Sequence, residues 1–155
     1  MRAVIKGRKE MVEKLLESSD IKINNVNTSG SSALTLAVEG RNTRIVELLL
    51  ARKDIDINQS SKDRETALIL AAKYRRFDLA AMFVKHKNIA INRVDRLGET
   101  ALFKAVYNRD LSISRLLVKN GNIDITQKNK NNHTALDIAM DMKVNDIVAL
   151  LKKIG

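Results

Sequence analysis

The chain has 155 residues, 45% of them hydrophobic and 30% charged, with a net charge of +10 and no cysteine. That length supports one domain burying about 68–70% of the surface its unfolded chain exposes, and the missing thiols exclude disulfides and cysteine chemistry. No apolar run approaches the ~18 residues of a membrane span, and the opening M-R-A-V-I-K-G-R-K lacks a signal peptide's apolar stretch, so the expected location is cytoplasmic or nuclear.

In chain order, one unit recurs. Ala3, Ala37, Ala71, Ala105 and Ala139 stand 34 residues apart. Around the last four the strings are S-A-L-T-L-A from Ser32, T-A-L-I-L-A from Thr66, T-A-L-F-K-A from Thr100 and T-A-L-D-I-A from Thr134. Each predicts a short first helix whose opening hydroxyl accepts a free backbone N–H of the first turn. A second helix follows, with apolar residues at i, i+3 and i+4: Ile45, Leu48, Leu49; Leu79, Met82, Phe83; Ile113, Leu116, Leu117; Ile147, Leu150, Leu151. That spacing makes one buried stripe. Between units lies an alternating segment, D-I-K-I-N from Asp20, D-I-D-I-N from Asp54, N-I-A-I-N from Asn88 and N-I-D-I-T from Asn122. A polar stretch such as Q-S-S-K-D-R-E then leads into the next first helix. Two markers sharing one period over the whole chain indicate a repeat array.

A period of 34 also suits tetratricopeptide repeats, but their helices fill nearly the whole unit and carry aromatic and proline signposts. Here the helices cover about twenty residues of each unit, and the chain has no proline. The T-A-L-x-x-A strings instead resemble the ankyrin signature T-P-L-H-x-A, and the D-I-D-I-N strings resemble the ankyrin segment between second helix and hairpin. The resemblance covers the entire chain. It implies an all-α solenoid of helix pairs with hairpin loops, about four and a half units in one domain, 1–155. The units run 1–30 (partial), 31–64, 65–98, 99–132 and 133–155 as a C-terminal cap. Ala33, Ala67, Ala101 and Ala135 replace the family's proline. Thr35, Ile69, Phe103 and Asp137 replace its histidine, and Arg64 and Asn132 take the place of the hairpin glycine kept at Gly30 and Gly98. Lys152, at a position held by Leu50, Val84 and Val118 in inner units, is the polar residue a terminal unit needs. Gly155 is expected to close the last helix.

By resemblance, function lies on the face made by hairpin tips and first helices, which binds other proteins in this family. The positions carried over are Lys62, Glu65, Lys73, Tyr74, Arg96, Leu97, Glu99, Tyr107, Asn108, Lys130 and His133. Both tyrosines of the chain fall there, in adjacent units. Tyrosine offers a large contact area for two rotatable angles. The expected centre is Tyr74, Leu97 and Tyr107, flanked by Lys73, Arg96 and Glu99. The expected partner is another protein, with an acidic surface suiting the basic charge, bound by a monomer.

The stretch K-Y-R-R at Lys73–Arg76, with Arg93, Arg96 and Arg109, raises a basic surface for nucleic acid or another acidic polymer as the alternative. A structural segment within a larger protein is a third reading. Basic residues spread elsewhere too, at Arg52, Lys53, Lys85, Lys87, Lys152 and Lys153. The abundance of Lys and Asn fits an AT-rich coding sequence, so nucleic acid is the weaker reading. His86 and His133 are far apart and lack metal-ligand spacing. No phosphate loop, dinucleotide fingerprint or nucleophile elbow occurs. No catalytic residue, cofactor or metal is therefore expected.

Overall fold

The computed structural model describes residues 1–18 and 20–154; Gly155 lies outside them. Among the described residues ten helices form five pairs. The first helices are α1 (Arg2–Ile5), α3 (Ala33–Glu39), α5 (Ala67–Lys73), α7 (Ala101–Tyr107) and α9 (Ala135–Asp141). The second helices are α2 (Lys9–Leu16), α4 (Thr43–Leu50), α6 (Phe77–Val84), α8 (Leu111–Val118) and α10 (Asn145–Lys152). The all-α architecture is as expected, and the only strand-like pairings among the described residues are single bridges, Val26 with Ser32 and Ser60 with Thr66.

Isolated helices this short are marginal in water, so stacking holds them. The face of α5 is built from Ala67, Leu68, Ala71 and Ala72, all buried, and small side chains let α5 pack on α3, α6 and α7 together. The i, i+3, i+4 stripes do the same for the second helices: Ile45, Leu49, Leu79, Phe83, Ile113, Leu117, Ile147 and Leu151 are all buried. Each fully buried Leu, Ile or Phe contributes about 1.5–3 kcal/mol of transfer free energy.

Capping follows the expectation at three of four starts. Ser32, Thr66 and Thr134 accept the N–H of Thr35, Ile69 and Asp137, and Thr134 with Asp137 forms a reciprocal box. Thr100 makes no such bond. At the hairpins, Gly30, Arg64, Gly98 and Asn132 all take positive φ, between 61° and 77°. Gly30 also serves a close approach: a Cβ there would lie 2.5 Å from the stem of Lys62.

The Ile-x-Ile-Asn segments carry a ladder that stitches units together. The Asn58 side chain donates to the Asn88 carbonyl at 2.7 Å and accepts from the Ala90 N–H at 2.8 Å. Asn24 does the same to Asp54 and Asp56 of the next unit, and Asn92 to Asn122 and Asp124. Thr126, at the fourth position of the series, turns back to Asp124 instead.

Candidate partner-binding face

Hairpin tips and first helices line one face because each hairpin leads directly into a first helix. Neighbouring tips are bonded to each other: the Arg96 N–H donates to the Asp63 carbonyl at 3.1 Å and the Lys130 N–H to the Leu97 carbonyl at 2.9 Å. Arg96 adds a side-chain bond to the Lys62 carbonyl at 2.9 Å and an ion pair with Asp63 at 3.3 Å. At the far end of α7, the Asn108 amide donates to the carbonyls of Ala72 and Lys73 at 3.0 and 2.9 Å. Asn108 thus ties the end of α7 to that of α5.

Three side chains hold apolar area out from this frame. Leu97 is 57% exposed, Tyr74 41% and Tyr107 39%. Lys73 lies 5.8 Å above the Tyr74 ring and pairs with Glu65 at 2.8 Å. The hydrogen bond to Glu65 lifts the Lys73 pKa above its ordinary value.

Glu99 is 5% exposed, although it was expected on the surface beside the patch. The reason is Lys104. Its ammonium pairs with Asp95 at 2.7 Å and with Glu99, and both carboxylates are buried with it. Glu99 also accepts from the Tyr107 hydroxyl at 2.7 Å and lies 3.4 Å from the Asn129 amide. Asp95 further accepts the N–H groups of Leu97 and Glu99, which shapes the tip carrying Leu97. Burial pushes Asp95 up, but bonds from Lys104 and those N–H groups outweigh it and hold its carboxyl below the usual range. Burial pushes Lys104 down, but its two carboxylate partners outweigh that and raise it. Burial and then Glu99 push the Tyr107 hydroxyl up to about 12.

Asp63, Glu65, Lys73, Asp95, Arg96, Leu97 and Lys104 line a shallow hollow of about 260 Å³ between two tips. The structure thus brings Glu65, Lys73, Arg96 and Leu97 together, with Tyr74 stacked beside Lys73 and Tyr107 joined through Glu99. Lys62, Lys130 and His133 stand exposed on the tips outside this hollow. Lys104 was missed, yet the aligned strings mark it: Leu36, Leu70 and Ile138 hold its position in the other units.

The family model described as Ankyrin repeats (3 copies) matches residues 1–95 and 87–155. The chain belongs to the ankyrin-repeat family. A solved structure titled as that of EF0377, an ankyrin repeat protein, superposes with a TM-score of 0.90 at 26% identity, over 99% of this chain and 79% of that one. No curated protein matches the chain. Ankyrin arrays generally serve as protein-interaction modules. In this array no helix among the described residues is long and apolar enough to cross a membrane.

Proposed function

We propose that this ankyrin array is a non-catalytic binding module that holds a partner protein on its concave face, with Tyr74, Leu97 and Tyr107 at the centre of the contact. The supporting observation is the way these three apolar groups are held. Leu97 sits on a tip fixed by Asp95, Tyr107 is oriented by Glu99, and Tyr74 carries Lys73 over its ring. Side chains ordered before a partner arrives lose less freedom on binding, and tyrosines with flanking cations are the usual composition of an interface centre. Lys73 and Arg96 at its edge favour a partner with acidic groups there.

The test is affinity capture from nuclease-treated source lysate with quantitative mass spectrometry. The full chain is compared with a Tyr74→Ala/Leu97→Ala/Tyr107→Ala variant. A protein retained by the native chain and lost by the variant, with calorimetry on the purified pair showing roughly 10-fold or greater weakening, supports the site. Equal recovery by both chains removes the patch from the interface.

A further inference from the structure

Beside the tyrosine patch, at the turns that follow the first helices, runs a row the patch does not explain. Each first helix turns into its second helix through one residue in the left-handed region. These are Gly7 (φ 62°), Arg41 (55°), Arg75 (56°), Arg109 (53°) and Lys143 (55°). Glycine adopts this conformation freely, whereas a side chain there meets a steric cost. Four of the five positions are nonetheless basic, although Lys and Arg make up only 28 of 155 residues. Asparagine tolerates positive φ far better, and the hairpins use both Asn132 and Arg64 there, whereas the left-handed positions between paired helices hold no asparagine. Each of the four cations stands one residue past the C-cap of a first helix, where the helix dipole favours a cation. Each also precedes the start of a second helix, where unpaired backbone N–H groups carry partial positive charge and oppose that gain.

The four side chains are exposed and little used internally. Arg75 lies 3.6 Å from Asp110, itself capping α8, while its own side chain stays 64% exposed. Arg109 donates to the Met142 carbonyl at 3.2 Å. Arg41 and Lys143 make no side-chain hydrogen bond or ion pair among the described residues. Of the acidic groups beside these turns, Asp78 is engaged by Arg76 and Thr43 and Asp146 by the Ile147 N–H, while Glu39 and Asp141 stand exposed two residues before Arg41 and Lys143.

Stacked helices lie about 8–10 Å apart, so the row presents one cation roughly every 10 Å. A polyproline II chain rises about 3.1 Å per residue with three residues per turn, so every third side chain points the same way at about 9.3 Å intervals. We infer that Arg41, Arg75, Arg109 and Lys143 form a docking rail for an extended acidic peptide segment carrying Asp or Glu at every third residue. The rail adjoins the tyrosine patch, with Arg75 directly after Tyr74 and Arg109 two residues after Tyr107, but its cations are not among the patch residues.

The probe is a fluorescein-labelled peptide of four Glu-Pro-Pro triplets, read by fluorescence anisotropy against an isomer with its four Glu adjacent. The native chain is compared with Arg41→Gly/Arg75→Gly/Arg109→Gly/Lys143→Gly, whose glycines suit the turns and whose Tm is expected to hold or rise. A second variant, Lys85→Gln/Lys87→Gln/Lys119→Gln/Lys152→Gln, removes equal charge elsewhere. The spaced peptide is expected to bind the native chain roughly 10-fold more tightly than it binds the glycine variant, with the glutamine variant near native. It is also expected to bind better than its clustered isomer. Equal binding of the two peptides, or equal weakening by both variants, overturns the rail. So does tighter binding of a twelve-nucleotide oligothymidylate that the glycine variant loses, which assigns the row to nucleic acid. The Tyr74→Ala/Tyr107→Ala pair reads the patch separately.

Discussion

The two ends of the stack treat the same problem differently. In α2, Met11 and Leu15 are half-exposed, while their counterparts one, two, three and four units on are buried: Ile45, Leu79, Ile113, Ile147 and Leu49, Phe83, Leu117, Leu151. These positions face the preceding unit, and here both remain apolar, with Leu15 lining a hollow of about 240 Å³ together with Val4, Leu16, Ile21 and others. At the other end, Asp137 stands exposed where Thr35, Ile69 and Phe103 are buried against the following unit, and Met140 is half-exposed where Val38, Ala72 and Val106 are buried. Asp137 also completes the capping box that starts α9, so one residue serves a helix terminus and places a charge on this outer face. The lesson is that burial in a repeat array is assigned by neighbours, and the same register position costs much or little according to what is stacked on it.

The largest expected effect breaks that equivalence directly. Phe83 and Leu15 share a register position, but Phe83 is fully buried. Phe83→Ala is expected to cost about 3–5 kcal/mol, and Leu15→Ala about 1 kcal/mol or less. Urea unfolding of the two variants measures both; similar costs would show that register, not stacking, sets the energetics.

The centre of the array differs from both ends through Lys104. Lys104→Leu leaves Asp95 and Glu99 buried without their cation, and breaking such a group typically costs about 3–5 kcal/mol. Adding Asp95→Asn and Glu99→Ser copies the hairpin and first helix two repeats earlier, which have Asn27, Ser31 and Leu36 at these places, and is expected to restore most of the loss. The pH dependence has a fixed sign. Asp95 is held below its ordinary pKa, so its contribution is complete above the carboxylate range and disappears as pH falls through its folded value. The gap between native chain and single variant should narrow toward pH 3. A gap that stays constant to that pH, measured by urea unfolding along a pH series, would remove the carboxylates as its cause.

Much of this was legible beforehand for a physical reason: a repeat compares each residue with its own copies. The period, the second-helix stripes and the left-handed role of Arg64 and Asn132 all followed from aligned strings. What escaped depends on a partner in another unit. Glu99 reads as a tip residue until Lys104 is placed under it. The asparagine ladder links side chains to backbone about thirty residues away, and nothing local in D-I-D-I-N names that acceptor. The turns at Arg41, Arg75, Arg109 and Lys143 were hidden because the residue that announces positive φ, glycine, survives only at Gly7. Thr100 shows the converse: the right residue in the right place without the bond.

That idle cap gives a smaller contrast. Thr134→Ala removes a reciprocal cap and is expected to cost about 1 kcal/mol. Thr100→Ala removes a hydroxyl that caps nothing and is expected to cost under about 0.5 kcal/mol. Thermal unfolding monitored by circular dichroism ranks them, and an equal loss would mean that Thr100 caps its helix in solution.

The smallest expected change in stability returns to the two ends. Met11→Gln/Leu15→Gln replaces exposed apolar groups, so stability should move by no more than about 0.5 kcal/mol. The apolar face itself should weaken as a dye site, because a contiguous exposed patch beside a hollow is what a hydrophobic dye binds. Anilinonaphthalene sulfonate fluorescence is expected to drop for this variant. Met140→Gln at the other end is expected to change it less, because Asp137 already places a charge within that face. If the two variants lower the dye signal equally, Asp137 does not distinguish the ends. If the N-terminal variant instead destabilises by more than about 1 kcal/mol, Met11 and Leu15 are buried in solution and something in the sample covers that face.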